Sequence, residues 1–334
     1  MVSAVIFVAT SCVSPLTGFA FWETNLAYEG ESIYNYLQVK NLSDRTILST
    51  NVLFGVQSVT MKDKGLTGMY YDTALAAPAL ADNANSALIL GMGTGTYARQ
   101  LKQYYPKMNI TGVEIDQKIT DLAGEYFDEP ADIPVTTYDG RAWLAASHDK
   151  YDVIMVDAYR DITIPFQMSS TEFFTMVREH LNPGGVMVVN MNMISDGQGS
   201  INEALSDTIA SVFGNGNTLT ADVPNTTNRE LFAKKPGSGS EENSMQQASK
   251  ALNLRETTYE RTGSEDLEWY MEEVASRFRK VNEPDSASTI LTDDKAPVEV
   301  LGMHAIDQII ADEAGPYRQI LKDEGFGGLL RAVQ

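Results

Sequence analysis

Glycines and acidic side chains follow four successive apolar runs of the chain, at the point where each run ends. In chain order, these ends carry Gly91-Met92-Gly93-Thr94-Gly95, then Glu114, then Asp139-Gly140, and finally Asp157. A single acid after a strand is commonly a helix cap or a turn former, but four such features in succession are harder to explain in that way. Ligands of α/β sheets bind outside the carboxyl ends of the strands. The pattern therefore predicts a ligand site along this edge.

The glycine turn indicates which kind of ligand the edge holds. Glycines let the backbone pass close to a ligand and open a helix whose N–H groups face it. Enzymes that bind NAD use a similar turn, but in theirs the third glycine comes three residues after the second. Here Gly95 follows Gly93 by two residues, and Thr96 comes next. This spacing argues against a dinucleotide.

The three acids suit a nucleoside. A carboxylate at Glu114 is placed to accept both ribose hydroxyl protons, and Asp139 is placed to accept the exocyclic amine of adenine. Asp157 then faces the reacting end of the ligand.

Strands that alternate with helices are expected to position these residues in a domain spanning residues 67–235. The predicted strands are 87–90, 109–114, 133–138, 151–156, 186–190 and 228–233, and the predicted helices are 97–105, 119–127, 142–147, 171–181 and 201–213. Apolar runs separated by helices of this length imply a parallel sheet with right-handed crossovers.

Two further segments flank this α/β domain. A small antiparallel β unit is predicted over residues 28–66, with strands at 32–39, 46–50 and 56–61. A helix predicted at 69–81 then begins the α/β domain. Residues 236–334 read as a linker and a helical C-terminal extension, with the helical pattern at 245–281.

Composition limits the partners. The net charge of −20 disfavours nucleic acid and anionic lipid, and it suits small cations such as sulfonium nucleosides and polyamines. The alternative is that acidity only keeps the chain soluble. With one cysteine and three separated histidines, neither a disulfide framework nor a metal site is expected.

The first 24 residues form an apolar leader without a charge between Val2 and Trp22. Its length is close to the ~20 residues that cross a bilayer, although Pro15 and several hydroxyl side chains dilute its hydrophobicity. Two interpretations stay open. The leader is a membrane anchor of a cytoplasmic-facing protein, or it is a buried hairpin or helix of a soluble cytoplasmic one.

With these motifs assembled, the chain resembles the spermidine synthase family, within the class I S-adenosylmethionine-dependent transferases. The resemblance rests on Val113-Glu114-Ile115-Asp116, Tyr138-Asp139-Gly140 and the 151–157 segment. It implies a seven-stranded, Rossmann-like methyltransferase sheet after the β unit, with S-adenosylmethionine or its decarboxylated form as co-substrate. It also implies nucleoside contacts from Asn35 and Gln57, and a glycine turn beside the amino-acid tail.

The resemblance makes Asp157 the catalytic base, but several positions depart from the family pattern. Thr94 replaces the acid that binds the aminopropyl amine in family members, and Thr67-Gly68 replaces an acidic pair. Arg160 replaces the second acid that follows the catalytic base in the family pattern. A buried ammonium without a paired carboxylate is costly. The three departures therefore argue against ordinary putrescine recognition, unless Asp161 or Asp72 substitutes for the missing acids. The residues predicted for the acceptor side are Tyr71, Asp72, Tyr159 and Asp161. The 157–166 segment, the 291–297 segment and the apolar leader resemble the membrane-fused branch of the family.

Three functions remain open from the sequence. The first is aminopropyl transfer from decarboxylated S-adenosylmethionine to a small amine, with Asp157 as base. The second is methyl transfer from intact S-adenosylmethionine, which Thr94 would favour because a hydroxyl does not repel the ligand's carboxylate. The third is a non-catalytic nucleoside-binding module of a membrane protein. The sequence leaves open whether the protein forms a homodimer.

Overall fold

The computed structural model describes residues 23–51, 55–63, 65–128, 130–159, 163–192, 199–214, 216–237, 254–303 and 322. The predicted apolar leader and Asp161 lie outside these residues. Within the described part of the chain, no helix has both the length and the apolar character that crossing a membrane requires.

A four-stranded antiparallel sheet forms the N-terminal β unit. Its strands, in order across the sheet, are β1 (Leu26–Glu31), β2 (Tyr36–Asn41), β3 (Arg45–Thr50) and β4 (Ser58–Met61). The strand predicted over 32–39 is wrong in its first half. Ser32 Oγ accepts the N–H groups of Tyr34 and Asn35, at 3.0 and 2.9 Å, and these bonds fold the segment into a turn before β2.

The second sheet carries the predicted parallel strands. They are β5 (Ser86–Leu90), β6 (Asn109–Glu114), β7 (Val135–Thr137), β8 (Tyr151–Val156) and β9 (Leu181–Met191). The antiparallel strands are β10 (Thr218–Asp222), β11 (Arg229–Lys234) and β12 (Arg279–Lys280). Among the described residues, the order across the sheet is β12-β10-β11-β9-β8-β5-β6-β7. The expected seven strands are therefore joined by a two-residue edge strand.

Helices cover both faces of this sheet. They are α1 (Tyr70–Ala74), α2 (Ala76–Leu80), α3 (Thr96–Tyr104), α4 (Gln117–Tyr126), α5 (Gly140–Ala146), α6 (Thr171–His180), α7 (Ile201–Phe213), α8 (Leu254–Thr262) and α9 (Glu265–Arg277), with a 3-10 turn at Phe166–Met168. Side chains from both sheet faces and the helices form two large apolar clusters.

The single helix predicted over 69–81 is divided into α1 and α2. Pro78 has no N–H to donate to the Ala74 carbonyl one turn earlier, and this carbonyl instead accepts the Tyr97 hydroxyl at 3.0 Å. The helical pattern at 245–281 is likewise interrupted, because Gly263 has φ +66° between α8 and α9. Residues 245–253 of that pattern lie outside the described residues.

Candidate active site

A cavity of about 480 Å³ opens at the carboxyl ends of β5 and β8, beside residues of the N-terminal sheet. This is the point at which the strand order reverses, and ligands of doubly wound sheets bind there. The predicted site residues that line it are Asn35, Gln57, Tyr71, Gly91, Gly93, Glu114, Asp139, Gly140, Asp157 and Tyr159.

The glycine turn lies in the cavity wall. Gly91 and Gly93 have φ angles of +87° and +55°. A Cβ atom at Gly91 would overlap the backbone of Asp157, so only glycine permits β5 and β8 to approach this closely. Gly95 caps α3 in a left-handed conformation and does not line the cavity.

Thr94 does not occupy the position that the sequence predicted for it. Its side chain is fully buried and is not part of the cavity lining. Its hydroxyl has no hydrogen-bond partner among the described residues. A direct contact between this hydroxyl and the tail of a nucleoside is therefore not supported by the geometry.

Glu114 is held by backbone N–H groups at the end of β6. Its Oε2 accepts the Gly93 N–H at 2.8 Å, and its Oε1 accepts the Asp116 N–H at 3.0 Å. Burial raises the pKa of the Glu114 carboxyl, and these two bonds oppose the shift. Each oxygen retains a lone pair that can accept a ligand hydroxyl.

Asp139 has two roles that the sequence could not separate. Its Oδ1 accepts the Ala142 N–H at 2.8 Å and so caps α5, and the residue also lines the cavity. Asn35 also lines the cavity, and its Nδ2 donates to Asp116 at 3.0 Å. This bond joins the N-terminal sheet to the end of β6.

Asp157 follows β8 and receives hydrogen bonds from two neutral side chains. The Tyr70 hydroxyl donates to its Oδ2 at 2.7 Å, and Asn190 Nδ2 donates to its Oδ1 at 2.9 Å. Burial raises the pKa of Asp157 to about 7, against the opposing effect of these two bonds. A carboxyl that titrates near neutral pH can take a proton from a substrate.

Tyrosine rings line the cavity beside Asp157. The rings of Tyr70 and Tyr71 have centroids 4.0 Å apart. The Tyr71 hydroxyl donates to the Gln57 carbonyl at 2.7 Å, and the Tyr159 hydroxyl donates to the Asn190 carbonyl and accepts the Asn192 N–H. The hydroxyls of Tyr71 and Tyr159 therefore bond to the backbone, while their rings line the cavity. An aromatic face there can attract a cationic ligand.

Asp72, which was predicted on the acceptor side, is not among the residues that line the cavity. Its carboxylate is fully buried, and it accepts the Thr67 N–H at 2.9 Å, the Thr67 hydroxyl at 2.8 Å, the Gly68 N–H at 2.7 Å and the Gln100 amide. These bonds hold the loop before α1 against α3. The geometry therefore supports a structural role for Asp72.

Sequence reasoning missed the two partners of Asp157. Asn190 was recognised only as the end of a predicted strand, and Tyr70 only as part of a predicted helix. A polar side chain that ends an apolar strand was the available signal for Asn190. Nothing local in the sequence distinguishes Tyr70 from its neighbour Tyr71.

Comparisons with known proteins identify the family of the chain. The model of the spermine/spermidine synthase domain matches residues 69–235. A probable polyamine aminopropyl transferase of Bifidobacterium longum is 99% identical over all of this chain, which spans 75% of that protein. A polyamine aminopropyltransferase of Vibrio vulnificus is 28% identical over 60% of this chain and 69% of its own length.

Solved structures show the same fold at lower identity. A probable spermidine synthase of Corynebacterium glutamicum superposes with a TM-score of 0.56 at 20% identity, over 78% of this chain and 98% of that one. A further spermidine synthase structure, solved with the transition-state analogue AdoDATO, has a TM-score of 0.54 at 17% identity, over 75% and 88% of the two chains. The domain match and the near-identical relative together establish that this chain belongs to the spermine/spermidine synthase family.

Proposed function

We propose that the protein transfers an aminopropyl group from decarboxylated S-adenosylmethionine to a small amine, with Asp157 as the general base. The observation that carries this proposal is the state of Asp157. Its carboxyl lies at the switch point of the sheet, lines the cavity, and has a pKa of about 7. The names of the relatives, which are aminopropyltransferases, support the same reaction.

The nucleoside is held on the β5–β6–β7 side of Asp157. Glu114 would accept the ribose hydroxyls, Asp139 would accept the adenine amine, and Asn35 and Gln57 would complete the contacts. Gly91, Gly93 and Gly140 leave room for the ligand against the backbone. Ile115 and Tyr138, both partly exposed in the cavity lining, offer apolar surface to the base.

The reaction requires one proton to be removed. The sulfonium carbon of the co-substrate is the electrophile, and the attacking amine forms the new C–N bond as the C–S bond breaks and leaves a thioether nucleoside. Asp157 takes the proton that the amine loses. Tyr70 and Asn190 keep the carboxylate in place, so that the reacting groups stay aligned, and alignment supplies much of the rate of such reactions.

The acceptor is proposed to lie on the other side of Asp157, between the rings of Tyr70, Tyr71 and Tyr159. Asp161, four residues after the base in the chain, remains a proposed partner of the acceptor. Methyl transfer is the weaker candidate, because it depended on a ligand contact from Thr94, whose side chain is not part of the cavity lining.

Product analysis tests the proposal. The purified chain is incubated with an amine and either decarboxylated or intact S-adenosylmethionine, and the nucleoside product is identified by mass spectrometry. We expect methylthioadenosine from the decarboxylated form and no S-adenosylhomocysteine from the intact form. The reverse pattern would establish methyl transfer, and binding without either product would establish a non-catalytic module.

A further inference from the structure

Glu230 is a buried carboxyl that the mechanism above does not use. It lies on β11 with none of its surface exposed, and neither carboxylate oxygen has a hydrogen-bond partner among the described residues. Burying a polar group without a partner costs free energy. Such a group in a folded protein calls for a functional explanation.

The sheet places Glu230 behind the catalytic base. Glu230 pairs in register with Asn190 on β9, and Asn190 donates to Asp157 at the end of β8. Phe232, two residues along β11, packs in the same apolar cluster as Tyr70, and alternate residues of a strand share a face. Glu230 therefore lies on the sheet face of Tyr70 and Asp157.

The strand order also says which end of the cavity Glu230 is near. Glu114 and Asp139 follow β6 and β7, on one side of β8, whereas β9 and β11 lie on the other side. If the nucleoside is held by Glu114 and Asp139, Glu230 lies on the acceptor side of Asp157. Glu230 does not line the cavity, so it acts on the acceptor through its charge rather than by contact.

We propose that Glu230 is a positioning residue that sets acceptor specificity: it is a neutral acid in the empty site, and it ionises when an acceptor with two positive charges binds at Asp157. The inference rests on the proposed function. It assigns the site a preference for acceptors that carry a second positive charge, because only these can stabilise two carboxylates at once.

The charges around Glu230 agree with a neutral acid. The groups that interact with it electrostatically are Asp157, Tyr97 and Tyr159, none of which is a cation. The two basic residues on its own strand bond elsewhere, Arg229 to Asp222 and Lys234 to Asp82. Burial, and to a smaller extent the charge of Asp157, raises the pKa of Glu230 well above its usual range.

The first ammonium of the acceptor pairs with Asp157 and offsets the repulsion between the two carboxylates, and a second ammonium adds an attractive charge. The pKa of Glu230 then falls, and the carboxyl releases a proton. By linkage, an acceptor that drives this release binds more tightly as the pH rises towards the pKa that Glu230 has in the empty site. A second ammonium strengthens the effect, because a single one is already balanced by Asp157.

Proton release on binding is the direct test. The full chain is saturated with methylthioadenosine, which permits binding without transfer, and is titrated calorimetrically with 1,4-diaminobutane or 1-aminobutane in two buffers of different ionisation enthalpy. Wild type, Glu230→Gln and, as a matched control, the exposed Glu260→Gln on α8 are compared. We expect wild type and Glu260→Gln to release more protons with the diamine than Glu230→Gln does.

Affinity gives the second readout. We expect Glu230→Gln to weaken diamine binding by at least about fivefold, the lower end of typical coupling, and to leave 1-aminobutane nearly unchanged. Glu230→Met removes the unsatisfied polar atoms, so it should show the same loss of preference with a raised melting temperature. Equal proton release and equal preference in wild type and both variants would overturn the role of Glu230. Failure of the proposed function would be recognised separately, by the absence of methylthioadenosine formation.

Discussion

Asp72 and Glu230 are both carboxyl residues with no exposed surface, yet their surroundings are opposite. Asp72 receives hydrogen bonds from Thr67, Gly68 and Gln100, whereas Glu230 receives none from the described residues. A carboxylate with several donors is stable in its charged form and fixes the groups that donate to it. A carboxyl without donors is more stable protonated, and its charge depends on what binds nearby.

The comparison shows that burial alone does not mark a functional acid. The supply of donors separates the two kinds, and Asp157 lies between them, because it has two neutral donors. Acids of the first kind should affect stability when replaced. Acids of the second kind should affect catalysis or ligand binding.

The largest expected effect is that of Asp157→Asn. Losing the general base should lower turnover by about 10²–10⁴-fold, with little change in affinity for methylthioadenosine, as measured by single-turnover rates and calorimetry. Burial raises the pKa of Asp157 from 3.8 to about 7, so stability falls as the pH rises from about 4 to about 7 and this loss is complete above 7. The Asn variant should therefore match or exceed the melting temperature of wild type above this pH.

Asp152, which lies within β8, is the matched control for Asp157. Asp152 accepts the Asn85 N–H and the Asn182 amide, both at 2.8 Å, far from the cavity lining. Asp152→Asn should lower the melting temperature and leave turnover close to wild type. If Asp157→Asn behaved in this way instead, Asp157 would be a structural residue and the mechanism would be wrong.

Asp72→Asn tests the structural side of the comparison. The amide would direct N–H groups at the donors that now bond to the carboxylate, which should destabilise the fold by about 1–3 kcal/mol. We expect a lower free energy of unfolding in urea and a nearly normal Michaelis constant for the amine. A stable variant with a raised Michaelis constant for the amine would show that Asp72 binds the acceptor.

Asp139 allows the two roles of one residue to be separated. Serine is a good N-cap, so Asp139→Ser should retain the cap of α5, while Asp139→Ala loses it at a cost of about 1 kcal/mol. Both variants lose the carboxylate in the cavity. If that group binds adenine, both should weaken methylthioadenosine binding by about 1–3 kcal/mol, and only Asp139→Ala should melt at a lower temperature. Normal affinity in Asp139→Ser would reduce Asp139 to a helix cap.

The parallel strands and the residues at their ends could be predicted from the sequence because they follow local rules. An apolar run that ends in Gly91, Glu114 or Asp157 already indicates both a buried strand and a position at its carboxyl end. Sheet topology then brings these ends together without further information.

The contacts that distinguish one acid from another could not be predicted. The bond from Tyr70 to Asp157 joins residues 87 positions apart, and the pairing of Glu230 with Asn190 depends on the register of an antiparallel strand. The strand β10 was also missed, because the polar residues of Thr218–Asp222 conceal a buried strand. For Asp157 and Glu230, long-range pairing decides which donors lie near the acid, and the local sequence pattern does not predict that pairing.

The smallest expected effect comes from Tyr70→Phe, which removes one of the two hydrogen-bond donors of Asp157. Asp157 then resembles Glu230 more closely, because Glu230 has no donor among the described residues. The Tyr70 hydroxyl lowers the pKa of Asp157 by bonding to its charged form. A net hydrogen bond contributes roughly 0.5–1.5 kcal/mol, and one pKa unit corresponds to about 1.4 kcal/mol. The acid limb of the pH–rate profile, near 7 in wild type, should therefore move up by at most about one unit, with the plateau rate at high pH nearly unchanged.

Tyr104→Phe is the matched control, because that hydroxyl donates to Asp266 at 3.1 Å, outside the cavity lining, and its loss should leave the profile in place. An unmoved acid limb in Tyr70→Phe would mean that the group titrating near 7 is not Asp157.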